Sequence, residues 1–179
     1  MLITGPPAAG KTTLARMLAD RTGLPLLEKD GIKELLFDTL GTGDRAHSQT
    51  LGRATFPILY DVMATLLRAG TSLILEGNFV AGTSEAELAL LPPHRVLQVV
   101  VTAPAGLLRE RSNARVAGET RHAGHHRDFV TGTEVDHALA NGRWGPLDVR
   151  GAMVHLDTSV SFDPEAIVRR VRAELGPRP

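Results

Sequence analysis

Two hydrophobic patterns alternate along this chain: short unbroken apolar runs, and longer stretches in which apolar residues return every three or four positions. The first run, residues 1–4, stops at Gly5, and a helical rhythm follows from Lys11 until Gly23 and Pro25 end it. Unbroken runs of four to seven residues suit strands buried on both faces, and the three-to-four rhythm suits amphipathic helices. By that rule residues 24–27, 73–76, 96–102 and 153–156 are four further strands. Helices are predicted from Gly31 towards Leu40, over residues 48–69 with a kink at Pro57, after Pro104, and after an Asp163-Pro164 cap. A basic stretch, residues 109–127, carries the helix after Pro104 into a loop rich in Gly and His, and residues 177–179 read as a frayed end.

Strands that alternate with helices imply a parallel sheet with right-handed crossovers on both faces and ligands at the carboxyl ends of the strands. The expected architecture is a three-layer α/β/α fold with a five-stranded parallel sheet and a helical lid at about 109–128. No linker or repeat divides the chain, so residues 1–179 read as one domain.

Composition narrows the chemistry. Twenty Lys and Arg balance twenty Asp and Glu, so net charge gives no general drive towards nucleic acid or an anionic membrane. The chain has no cysteine, which excludes disulfides and thiolate metal sites and fits a cytoplasmic setting. No apolar run reaches the roughly 18–20 residues of a membrane span, and because Met1 leads into a glycine-rich loop the expectation is that it does not open a signal peptide.

The most specific signal is Gly5-Pro6-Pro7-Ala8-Ala9-Gly10-Lys11-Thr12, a match to G-x-x-x-x-G-K-[ST] between a predicted strand and a predicted helix. Backbone N–H groups of such a loop converge on one phosphate, and small side chains leave room for it. Lys11 reaches towards the β- and γ-phosphates, Thr12 offers a hydroxyl to Mg²⁺, and Thr13 continues the nucleotide-binding run. The alternative is an ordinary glycine-rich turn ahead of a helix.

With these residues the chain resembles the P-loop kinases of the nucleoside-monophosphate-kinase-like superfamily. Within it the chain looks like the AAA_33-like group near chloramphenicol phosphotransferase, the zeta toxins and the 5′-hydroxyl polynucleotide kinases. The resemblance implies four further sites. Asp30, after the second strand, corresponds to a carboxylate that holds the acceptor hydroxyl and takes its proton; Lys33 stands where relatives often carry Arg. A helix N-cap is the other reading of Asp30. Glu76, at the end of the third strand, resembles the Walker B acid that orients the water shell of Mg²⁺, and Asn78 two residues on is a substrate contact or a turn residue. Arg111 and Arg115, four residues apart on one helix face, resemble lid arginines that neutralise the migrating phosphoryl group, with Arg121 further along as a substrate contact; a solvated basic face is the alternative. Thr158, after the fifth strand, matches a loop beside adenine.

The histidines at 122, 125, 126 and 137 lack a defined metal-ligand framework, so no zinc is expected and lid or substrate contacts are the reading. His47 and His94 read as surface residues, and Trp144 as a packing residue with a substrate contact left open.

The expected protein is an ATP- and Mg²⁺-dependent kinase, a monomer or homodimer, acting on a hydroxyl of a small molecule such as an antibiotic or a nucleoside. A 5′-hydroxyl polynucleotide kinase is the runner-up, nucleic acid entering only as acceptor, and a nucleotide-gated regulatory ATPase is the rival from another class. No Asn-Lys-x-Asp motif for reading guanine is present.

Overall fold

The computed structural model describes residues 1–117, 122–125 and 133–175. Twelve elements follow one another: β1 (Leu2–Thr4), α1 (Lys11–Thr22), β2 (Leu26–Glu28), α2 (Lys29–Leu40), α3 (Arg45–Arg68), β3 (Ile74–Glu76), α4 (Ser84–Ala89), β4 (Val96–Thr102), α5 (Ala105–Ala117), α6 (Thr133–Ala140), β5 (Gly151–Asp157) and α7 (Pro164–Leu175). The five strands form one parallel sheet in the order β2-β3-β1-β4-β5, so the strand that feeds the glycine loop lies at its centre.

Successive side chains of a strand point to opposite faces, and here both faces are covered. Ile3, Ile74, Val99 and Val101 pack with Leu14 and Leu18 of α1 and Val168 and Val171 of α7. Leu2, Leu73 and Leu75 pack on the other side with Leu59 and Met63 of α3 and with Phe79. Those two cores explain why the strands read as continuous apolar runs and make the three-layer α/β/α architecture of P-loop NTPases.

Local signals set the helix ends. Gly23 closes α1 at φ 68°, its N–H donating to the Ala19 carbonyl at 2.8 Å. Asp163 Oδ1 accepts the Glu165 N–H at 2.9 Å ahead of Pro164, as the sequence predicts. Other boundaries move. α3 starts at Arg45 instead of residue 48, because Asp44 caps it by accepting the His47 N–H at 2.8 Å. α2 starts at Lys29 with Glu28 as N-cap, so Asp30 sits inside the first turn and is not the cap. The short helices α4 and α6 carry too few turns to show a rhythm and were not foreseen. Among the described residues, no helix is long and apolar enough to cross a membrane.

Candidate active site

The loop between β1 and α1 is a cradle that tolerates almost no other backbone. Gly5 has φ 144°, and a Cβ on it would lie 2.0 Å from the Val101 carbonyl oxygen. Ala8 at φ 64° is the one non-glycine residue with positive φ among the described residues, and Gly10 has φ 90°. These conformations curl the loop around the Lys11 ammonium, which donates to the Pro6 carbonyl at 2.8 Å. Thr158 fastens the loop from outside: its hydroxyl donates to the Ala9 carbonyl at 3.0 Å, and a Cβ on Gly10 would meet its methyl at 3.8 Å.

In front of the cradle opens a cavity of about 860 Å³ at the carboxyl ends of β1, β2 and β3. The sequence-predicted residues Lys11, Thr12, Asp30, Lys33, Glu76 and Asn78 all line it, together with Pro7, Ala8, Gly10 and Thr13 of the loop. Residues as far apart as Pro7 and Asn78 thus share one space, because parallel crossovers return every strand end to the same edge.

Electrostatics within the cavity are tightly coupled. Lys11 is 5% exposed, and burial pulls its pKa down to about 8, although Glu76 and Asp30 pull the other way. Glu76 is 3% exposed, and burial raises its pKa to about 7 against the pull of Lys11. Thr12 Oγ1 donates to Glu76 Oε2 at 3.4 Å. Burial also works to raise Asp30, but Lys29 and His125, helped by Lys11, outweigh it and hold Asp30 at about 2. Lys29 Nζ lies 2.9 Å from Asp30 Oδ1, while the Asp30 side chain keeps 45% of its surface open. Asp30 is therefore ionised at every physiological pH and accessible to a hydroxyl.

A hydroxyl and a buried carboxylate side by side, with too little solvent around the acid to stabilise its charge, form a hard-oxygen donor set of the kind Mg²⁺ takes. Thr12 and Glu76 fit that ion beside a phosphate-binding loop.

The two arginines expected to act together part company. Arg115 lines the cavity and weighs electrostatically on Lys11. Arg111 does not line it; its two terminal nitrogens donate to the Thr158 hydroxyl and carbonyl, each at 2.8 Å. Arg121 and His126 lie outside the described residues.

Several lining residues carried no motif. Arg16, one turn after Thr12, grips Glu28 with two bonds of 2.7 and 2.9 Å. Ser48, Gln49 and Arg45 come from the start of α3, and Ser112 from α5. His125 Nε2 is 3.1 Å from Glu34 Oε1, and His122 Nε2 is 3.0 Å from Asp38 Oδ1. Between them Phe37 stacks on His122 at 5.3 Å and meets His125 edge-on at 5.6 Å, so residues 122–125 dock on α2.

This loop, sheet and cavity define a P-loop nucleotide-binding fold of the kinase-like type. The chain belongs to the AAA_33 family, described as an AAA domain, which it matches over residues 1–139. It is similar over 98% of its length to a candidate kinase from Chloroflexus aurantiacus, 36% identical, with a TM-score of 0.89 and 97% of that chain covered. A sugar kinase from Janibacter sp. HTCC2649 shares the fold at 22% identity and a TM-score of 0.61, the match covering 97% of this chain and 92% of that one. Adenylate kinase 8 of Rattus norvegicus is 29% identical over an alignment of 134 residues that covers 68% of this chain and 27% of that relative.

Proposed function

We propose that this chain is a single-domain phosphotransferase that moves the γ-phosphoryl group of ATP onto a hydroxyl of a small molecule. The observation that carries the reading is the convergence of Lys11 in the phosphate cradle and the ionised, accessible Asp30 on one cavity. The loop amides and Lys11 hold the β- and γ-phosphates, and Arg115 adds positive charge where negative charge spreads in the transition state. Thr12, with Glu76 acting through water, would hold Mg²⁺, and the ion would supply positive charge to offset that of the phosphates.

Asp30 accepts a hydrogen bond from the acceptor hydroxyl and aims its oxygen in line with the γ-phosphorus. The new oxygen–phosphorus bond forms as the bond from Pγ to the β,γ-bridging oxygen breaks, and ADP carries that electron pair away. With a pKa of about 2, Asp30 is a weak base. It therefore takes the proton late, once bonding to phosphorus has acidified the hydroxyl. Arg111 serves this reaction by holding Thr158, and with it the outer wall of the cradle.

Calorimetry with Mg·ATP and an acceptor-dependent ADP-release assay test the scheme together. Lys11→Ala should lose transfer; Asp30→Asn should keep ATP affinity within a few-fold and lose acceptor turnover by about 10²–10⁴-fold. Unchanged acceptor turnover in Asp30→Asn removes that residue from the mechanism. ADP release that no hydroxyl compound accelerates favours a nucleotide-gated ATPase instead.

A further inference from the structure

At the root of α2 a largely buried lysine is bonded to the carboxylate that would hold the acceptor. The Lys29 side chain is 11% exposed and lines the cavity, and its ammonium donates to Asp30 Oδ1 at 2.9 Å. Helix geometry alone does not make that bond, because neighbours in an α-helix point about 100° apart and do not face each other. Lys29 and Asp30 are the first two residues of α2, so the lysine has to turn back over the helix start to reach the carboxylate.

Two neighbours provide for that turn. β2 and β3 pair with Glu28 beside Glu76, which brings Lys29 next to Gly77. A Cβ on Gly77 would stand 3.1 Å from Lys29 Cβ, so glycine leaves the room that the root of the lysine stem occupies. The Phe56 ring of α3 has its centre 5.9 Å from the ammonium, a cation–π distance that favours the turned-back position.

Stability does not account for a cation in this place. Taking an ammonium out of water is costly, and apolar side chains in place of a buried ion pair are often as stable or more so. What the pair does decide is how the carboxylate is presented. Lys11 and His125 favour the Asp30 anion, whereas Glu34 and Glu76 oppose it. Those charges act on the energy of the anion; the bond from Lys29 also fixes its direction, since the carboxylate cannot rotate without breaking it. The 45% of the Asp30 side chain that stays open then meets the cavity at a set angle.

Resting on the phosphotransferase reading, we propose that Lys29 is a positioning residue: by clamping Oδ1 it holds Asp30 so that Oδ2 meets the acceptor hydroxyl in line with the γ-phosphate. It acts through Asp30 and does not touch the phosphates.

Two measurements test this. Carboxyl-carbon NMR of nucleotide-free protein labelled at aspartate reads Asp30, whose signal is the one missing from Asp30→Asn. Lys29→Met should move its titration up by about 1–3 pH units; an unmoved titration overturns the proposal. Kinetics supply the second measurement. Glycerol, glucose, gluconate, adenosine and a 5′-hydroxyl oligonucleotide are each offered with Mg·ATP, and the compound that most accelerates ADP release serves as the probe. Lys29→Met should lower kcat on that probe by about 10–100-fold and leave the ATP KM within a few-fold. In the Asp30→Asn background the same change should cost no more than about twofold, because the group that Lys29 orients is gone. A full loss in that background puts Lys29 on the phosphates themselves and overturns the proposal, as does wild-type kcat in Lys29→Met; the kinase reading survives either result. Lys29→Gln, which keeps a polar head without the charge, carries the same expectations if Lys29→Met does not fold. ATP uptake with no compound accelerating ADP release overturns both readings.

Discussion

Gly124 offers a clean perturbation of the contact between residues 122–125 and α2. Its backbone is not among the positive-φ glycines, so alanine would suffer no conformational strain there. Alanine is refused for space alone: a Cβ would stand 2.5 Å from two carbons of the Phe37 ring, about 1 Å inside ordinary carbon–carbon contact. The ring cannot yield, being fully buried and held by both histidines and Lys33. Overpacking of this kind costs about 1–3 kcal/mol, and the lower chain entropy of alanine returns at most about 1 kcal/mol in global stability. The docked-to-undocked ratio should then fall by roughly 5–150-fold, since 1.4 kcal/mol is about tenfold. Both main cores lie elsewhere, so Tm should drop by less than about 4 °C. Hydrogen exchange reads the effect directly, because the Gly124 amide donates to His122 Nδ1 at 3.1 Å and the His125 amide to the His122 carbonyl at 3.0 Å. Gly124→Ala should speed exchange at those two amides, and it should raise the acceptor KM through loss of His125 from the cavity wall. Wild-type protection at both amides would refute the reasoning.

Two further outcomes are expected. Glu76 keeps its proton in the folded state up to about pH 7, against about 4.5 when unfolded, so the stability it contributes is present below pH 4.5 and is lost as pH rises to 7. Lys11 gives up its proton near pH 8 instead of 10.5, so stability returns between those values, and the nucleotide-free protein should be least stable at pH 7–8. Thermal melts should give a Tm about 4–8 °C lower at pH 7.5 than at pH 5.5, from roughly 2 kcal/mol; a flat profile would deny the burial of Glu76. Arg111→Ala removes both bonds to Thr158 and should raise the ATP KM by about tenfold or more with a smaller fall in kcat. A loss confined to kcat would place Arg111 on the migrating phosphoryl group after all.

Features written over a few consecutive residues were legible in the sequence. The strand–loop–helix of residues 1–22, the Asp163-Pro164 cap, Asp30 after β2 and Glu76 at the end of β3 all depend on local chemistry, and the sheet then brings the phosphate loop and the two carboxylates to one edge. Features created by packing were not. Arg111 and Arg115 share a helix face, which suggests a shared task, yet they sit one turn apart along the axis. That step is enough for one to meet Thr158 while the other reaches the cavity. The pairs His122–Asp38 and His125–Glu34 join positions 84 and 91 residues apart, and no periodicity marks such partners. The polar wall of Ser48, Gln49 and Arg45 escaped notice because a helix start rich in polar residues looks like any exposed cap.

The knot that Thr158 makes between the Ala9 carbonyl and the Arg111 guanidinium has an evolutionary consequence. It ties the middle of α5 to the phosphate loop. Positions 9, 111 and 158 are therefore constrained as a set, because a change that unties one of them slackens the hold on the other two.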